Sequence, residues 1–174
     1  MTTALNQLNA FSHEEFVRGV GPVFEHSPWI AEETWAKRPF ASLQALHQAL
    51  CRTVAEAGVE KQLALIRAHP DLVGRAALAG TLTQASTNEQ ASAGLDRLSP
   101  AEIAAFQKHN AEYRAKFGFP FVICARLNKK EAILAGFAAR LQNTPEQEIK
   151  TALEEIAKIA KLRLQDIIKE KEQT

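Results

Sequence analysis

Apolar residues recur along this chain at spacings of three and four, the period of a helix with one buried face, and almost nowhere do they alternate as in a half-buried strand. Ser42 precedes a stretch carrying Leu43, Leu46, Leu50 and Val54, which stops at Gly58, a residue suited to the left-handed conformation that ends helices. A second helix is expected at once over 59–68, with Leu63, Leu65 and Ile66, so the two predict a sharp corner. Ser99-Pro100-Ala101-Glu102 joins a cap, a proline in the first turn and a capping-box glutamate, opening a helix through Ile103, Phe106 and Asn110 to Phe117 that Gly118 closes. Thr144-Pro145-Glu146-Gln147 repeats that start, and Leu153, Ile156, Ala157, Ala160, Leu164 and Ile167 form one long apolar stripe behind it. Shorter helices are predicted over 11–20, 29–36, 86–94 and 129–141. The expectation is an all-α, single-domain bundle of seven or eight helices over 1–174, with a core at about 11–168, frayed termini and a long C-terminal helix.

Two stretches resist the helical pattern. One is 71–83, which holds Gly74 and Gly80; the other is 118–126, β-branched and aromatic with Pro120 inside it. An extended buried segment must satisfy its backbone amides somewhere, and a polar ligand is one legitimate partner.

Composition narrows the function classes. Lys and Arg number 21 against 20 Asp and Glu, a formal net charge of +1, which offers no bulk attraction for nucleic acid or an anionic membrane. No stretch approaches the roughly 18 apolar residues of a membrane span, and Met1-Thr2-Thr3-Ala4-Leu5 lacks the charged head of a secretion signal. Cys51 and Cys124 lie far apart and are expected as free thiols in a reducing cytoplasm. The five histidines, at 13, 26, 47, 69 and 109, form no metal-ligand spacing, and nucleotide-binding and hydrolase motifs are missing. Cofactor-free and metal-free acid–base chemistry is what remains.

His69 is the leading candidate for that chemistry. It stands where the 59–68 helix stops, and Pro70 disfavours helical geometry for it. A helix C-terminus favours the imidazolium, which would make His69 a proton donor near neutral pH, unless it serves only to bond the last free carbonyls. Ser86-Thr87-Asn88-Glu89-Gln90 reads as a capping box, Ser86 capping and Glu89 reaching back; the same geometry offers free N–H groups beside a hydroxyl, a carboxylate and an amide. Glu25-His26-Ser27-Pro28-Trp29 reads as a helix start with Trp29 as a core anchor. Arg163, between Leu162 and Leu164, is either a stem-packed surface residue or a carboxylate clamp.

Taken together, Phe24 to Trp29, His69-Pro70-Asp71-Leu72, Ser86 to Gln90, Phe117 to Arg126 and Lys158 to Leu164 closely resemble the OHCU decarboxylase family, over about 16–168. The resemblance implies decarboxylation of 2-oxo-4-hydroxy-4-carboxy-5-ureidoimidazoline to (S)-allantoin in urate catabolism, on an all-α fold, without cofactor, in a homodimer. It places His69 as the catalytic histidine, and Pro70, Ser86, Thr87, Asn88, Glu89, Gln90, Ile123, Cys124, Ala125, Arg126, Leu127 and Arg163 at substrate-binding positions. Glu89 would share the catalytic work by polarising the ring–ureido side. Eukaryotic members often end in a peroxisomal tripeptide, whereas this chain ends in Glu172-Gln173-Thr174, which points to a cytoplasmic bacterial enzyme. Two other readings stay open: a helical binding or dimerisation module without catalysis, and a related lyase acting on another ureido acid.

Overall fold

The computed structural model describes residues 3–169. Among them ten α-helices occur, and the chain is about 70% helical: α1 Leu5–Ala10, α2 His13–Val20, α3 Trp29–Thr34, α4 Leu43–Glu56, α5 Val59–Arg67, α6 Arg75–Leu78, α7 Gln84–Ser92, α8 Pro100–Phe117, α9 Lys130–Arg140 and α10 Pro145–Ile167. Short 3-10 turns cover Gly21–Val23, Trp35–Lys37 and Ala125–Leu127. Two-residue strands, β1 Thr3–Ala4 and β2 Ile168–Lys169, pair in parallel. No described helix is long and apolar enough to cross a membrane. The charged tail over 170–174 lies outside the described residues.

The eight expected helices are present, and α1 and α6 add to them. Both are too short to show a periodic pattern; α6 is one turn inside the 71–83 stretch, which is otherwise irregular. Residues 3–10, outside the expected core, are held by the β1–β2 pairing and by Leu8, which is buried.

Contacts divide the chain into two compact units, 1–68 with 157–174, and 69–156. In the first, α3 packs on α2 and α4, and α4 on α5. Phe16, Val20, Ile30, Leu46, Leu50, Leu65, Ile66, Ala160 and Leu164 are among its buried residues, and Phe16 stacks on Phe40. Gly58 at φ +81 makes the predicted corner between α4 and α5.

The second unit is built on aromatic rings. Phe106, Tyr113 and Phe117 of α8, Phe137 of α9, and Phe119 and Phe121 from the extended segment after Gly118 make edge-on and stacked pairs, Phe121 and Phe137 at 3.9 Å between centroids. The start and stop of α8 are those its sequence predicts: Ser99 and Glu102 close a capping box, and Gly118 takes φ +74. Tyr113 also donates to the Glu148 carboxylate, which Arg140 grips at 2.8–2.9 Å while donating to the Val122 carbonyl at 2.6 Å. Burial first, and then the Glu148 hydrogen bond, push the Tyr113 phenol well above its ordinary range.

The expected apolar stripe of α10 is rotated at its ends. Ala152, Ile156, Ile159, Ala160 and Leu164 are buried, whereas Leu153 and Ile167 are half-exposed, and the buried face takes in the charged Glu148 and Arg163. Apolar identity alone could not include those two, because each enters the interior only with a partner of opposite charge.

The Glu102 carboxyl is held down to about 2 from its ordinary 4.5, by its hydrogen bond to Lys130 and then by the Ser99 backbone. A carboxylate with a lowered folded-state pKa stabilises above the unfolded value and loses that contribution as pH falls toward the folded one. Glu102→Gln should therefore flatten the pH dependence of stability between about pH 4.5 and 2; an unfolding series in which the variant keeps the wild-type slope there would contradict it.

Candidate functional site

His69 directly follows Ala68, the C-cap of α5, and opens the second unit at 7% exposure. The residues after it form no regular structure until α6, so their backbone groups need side-chain partners. Gln90 of α7 and Asn110 of α8 supply them, and Arg114 of α8 holds the Asp71 side chain. Gln90 Oε1 accepts the Val73 N–H at 3.0 Å, and its Nε2 donates to the Asp71 carbonyl at 3.5 Å. Asn110 Nδ2 donates to the Leu72 carbonyl at 2.8 Å, and Arg114 Nε meets both Asp71 carboxylate oxygens at 3.0 and 3.1 Å.

Anchoring holds this strap in a conformation the chain would not choose. Val73 sits at φ +53, in the left-handed region, which costs a β-branched residue about 1–3 kcal/mol. Gly74 closes the turn: a Cβ there would come within 2.6 Å of the Asp71 Cβ. On the outer side, Pro70, Asp71, Gly74, Arg75, Thr81, Asn110 and Arg114 line an open cleft of about 800 Å³.

The second element is α7, and its start differs from the expected one. Thr83, rather than Ser86, is the N-cap: its hydroxyl accepts the Ser86 N–H at 3.3 Å, so Ser86 lies one turn inside the helix and no Ser86–Glu89 capping box forms. Three residues of extra helix change what faces where. Ser86, Glu89 and Gln90 fall on one side, with Ser86 and Gln90 buried, while Thr87 and Asn88 fall on the other. Those two are exposed and bonded along their own helix, Thr87 Oγ1 to the Thr83 carbonyl and Asn88 Oδ1 from Gln84. The free N–H groups expected at this helix start are thereby moved upstream.

The same helix packs on the turn Ala125–Leu127. Here the extended segment resolves its backbone without a ligand at two points: Cys124 N–H donates to Glu155 Oε2 at 2.8 Å, and the Val122 carbonyl goes to Arg140. Burial, with the Glu155 and Glu89 carboxylates adding, pushes the Cys124 thiol up, which favours its uncharged form. Cys124 and Ala125 are buried, Ile123 is half-buried, and Arg126 and Leu127 are exposed, Leu127 at 61%. His69, Pro70, the Ser86–Glu89–Gln90 face and the 123–125 segment thus belong to one unit, tied by Gln90 on one side of α7 and by the 125–127 turn on the other.

Arg163 belongs to the first unit, and it is neither a surface residue nor solvated. Its guanidinium donates to Glu25 Oε2 at 3.0 Å and to the Val23 carbonyl at 3.4 Å, with the side chains 7% and 2% exposed. The string around Glu25 serves that pairing. His26, exposed at φ +45, and Ser27, whose hydroxyl bonds the Glu25 carbonyl at 2.9 Å, turn the carboxylate inward. Trp29, expected as a core anchor, is half-exposed with Lys61 over its ring at 4.8 Å; Ile30 and Ala31 fill the core instead, because the helix begins at Trp29 and its next two residues face inward.

Sequence patterning missed Asn110, Arg114, Arg140, Glu148 and Glu155. Asn110 had a visible signal: it interrupts the Phe106, Tyr113, Phe117 face at a position where an apolar residue belongs. No group of histidine, cysteine or carboxylate residues that could hold a metal occurs among the described residues.

A family model described as OHCU decarboxylase matches residues 9–165. The chain belongs to the OHCU decarboxylase family. A 2-oxo-4-hydroxy-4-carboxy-5-ureidoimidazoline decarboxylase from Amia calva is 46% identical over 94% of this chain and 94% of its own. One of the same name from Halalkalicoccus jeotgali is 44% identical over 94% of this chain and 90% of its own. Among solved structures, (S)-allantoin synthase superposes with a TM-score of 0.75 at 30% identity, over 96% of this chain; this chain spans 54% of that one. An OHCU decarboxylase solved in the presence of (S)-allantoin, at 22% identity and a TM-score of 0.64, shows the shared fold.

The Arg163–Glu25 pair generates a stability test. Arg163→Met strands a buried carboxylate and should cost about 3–5 kcal/mol, whereas Arg163→Met with Glu25→Leu should recover most of the loss. Urea unfolding reads both; a single variant as stable as the parent would show that Glu25 is not held in a desolvated pair.

Proposed function

We propose that this protein decarboxylates 2-oxo-4-hydroxy-4-carboxy-5-ureidoimidazoline to (S)-allantoin in urate degradation. It is a carbon–carbon lyase by family, and relatives named for this reaction match it nearly end to end at 44–46% identity, the observation that carries the reading. The chemistry suits a site that holds acids and hydrogen bonds. As the bond to the carboxylate breaks, its electron pair forms a C=C bond to the ureido carbon, and the ring C=N electrons move to nitrogen, which takes up a proton. The resulting enol loses its hydroxyl proton and gains one on the ureido carbon, from one face only. The balance is one CO₂ out and one proton in.

Within that scheme His69 bonds the hydroxyl and carboxylate region and moves protons, and Glu89 polarises the ring–ureido side. Pro70 shapes the wall beside the imidazole. Ser86 and the Ile123 backbone read the ureido and ring amides, Cys124 and Ala125 contribute the wall behind them, and Gln90 combines any such contact with its hold on the strap. Arg163 is assigned to an anionic substrate oxygen on the family resemblance, with Glu25 fixing its guanidinium. Thr87, Asn88, Arg126 and Leu127 complete the substrate-binding set on the family resemblance, with their side chains exposed. The enzyme works as a cytoplasmic homodimer.

The test is the circular dichroism of allantoin formed when urate is oxidised and the product hydrolysed in situ. Adding the protein should give a rapid single (S) signal, and His69→Asn should leave the fold intact while returning the course to the slow racemic background. An unchanged racemic course with folded wild-type protein would favour a binding module or a lyase for another ureido acid; an active His69→Asn would remove the histidine from the mechanism.

A further inference from the structure

Two local departures from low-energy structure occur in one place, the strap after His69. Val73 is held at φ +53, and Asn110 Oδ1, in a side chain 7% exposed, is a buried acceptor without a hydrogen-bond partner among the described residues. The Asn110 amide orientation is set by its donation to the Leu72 carbonyl, so the orphaned oxygen is the consequence of keeping that one bond. An apolar residue of similar branched shape at 110 would extend the aromatic face of Phe106, Tyr113 and Phe117 and remove the orphaned oxygen, but it would take the donor away from the Leu72 carbonyl. Departures of this kind persist where surrounding structure over-determines a functional geometry.

We propose that Asn110 is a positioning residue for the imidazole of His69: through Leu72 it holds the strap in the one conformation that aims His69, with Gln90 and the Arg114–Asp71 pair completing a three-point anchor. This rests on the assignment of His69 as the proton-handling residue. Each anchor grips a consecutive residue, Arg114 and Gln90 at Asp71, Asn110 at Leu72 and Gln90 at Val73. The peptide chain from Asp71 back to His69 is two residues long and includes the rigid ring of Pro70, so a strap fixed at 71–73 leaves the His69 backbone little freedom. Losing the Leu72 anchor releases the middle of that span. Proton transfer requires hydrogen-bond reach, and displacement of a catalytic group by about 1 Å can cost on the order of 100-fold in rate.

The experiment uses the full chain with Asn110→Leu, which keeps the branched heavy-atom shape of the side chain and removes the donor. Three quantities are read: kcat and KM with substrate generated in situ, the enantiomeric excess of the allantoin, and the His69 ring resonances by nitrogen-15 NMR, assigned by their loss in His69→Asn. The expected result is a fall in kcat of about 10- to 100-fold with KM changed much less, lower enantiomeric excess, and shifted or broadened His69 signals. Wild-type kcat and enantiomeric excess with unmoved His69 signals would overturn the proposal, as would a change in KM alone. If Asn110→Leu fails to fold, Arg114→Gln, at an exposed position, reads the same anchor from the Asp71 end: a several-fold loss of kcat with moved His69 signals supports it, and wild-type behaviour overturns it. Failure of the decarboxylase reading is seen separately. His69→Asn would then match wild type in activity, while the NMR comparison would still report whether Asn110 sets the imidazole.

Discussion

The hydrogen bond from the Val73 N–H to Gln90 Oε1 is the constraint on which the candidate site depends. A loop with no secondary structure of its own has no internal partner for that amide, and the left-handed turn at Val73 stands only while something outside the loop compensates it. The partner comes from α7, the helix whose same side carries Ser86 and Glu89. One carboxamide therefore sets two distances at once: that of the His69 strap from α7, and the depth at which the polar face of α7 lies. Because α7 also rests on the 125–127 turn, the strap, the helix and the extended segment share a frame.

That frame is only as rigid as the core behind it. Asn110 and Arg114 project from α8, whose Tyr113 ring is locked among Phe119, Phe121 and Phe137. Ring pairs of this kind prefer defined geometries and fill a close-packed interior, so a helix seated among them is a firm base for side chains that must hold a strained loop. The extended segment is pinned in the same way, by Arg140 at Val122 and Glu155 at Cys124.

Each unit also carries a charged pair in its interior, Arg140 with Glu148 in one and Arg163 with Glu25 in the other. Desolvation makes such pairs poor sources of net stability, but it makes them exacting about geometry, because separating the partners strands a charge. Both arginines spend a second donor on a backbone carbonyl, Val122 and Val23, so each pair also fixes a stretch of chain. A guanidinium tied in this way keeps its direction, which is what recognition of an anionic group requires.

The linear order of residues determined most of the helices and several of their ends. Capping boxes at Ser99 and Thr144 and glycines at 58 and 118 act within a turn or two of themselves, and apolar periodicity is a local property as well, so eight of the ten helices could be read without knowing what packs on what. Five short motifs in order likewise carried the family. Tertiary structure decided everything that depends on a partner far along the chain. Ser86 looked like a cap because its neighbours fit the pattern, and only the fold shows Thr83 taking that place and the helix face turning with it. Arg163 could have been a solvated surface residue until Glu25, 138 positions away, was brought beside it. Asn110 was legible as a polar residue on an apolar face, but not as the anchor of Leu72, 38 positions back. Local sequence encodes local geometry; the direction in which a buried polar side chain acts is set by whichever distant group can satisfy it, and that pairing exists only once the core has closed.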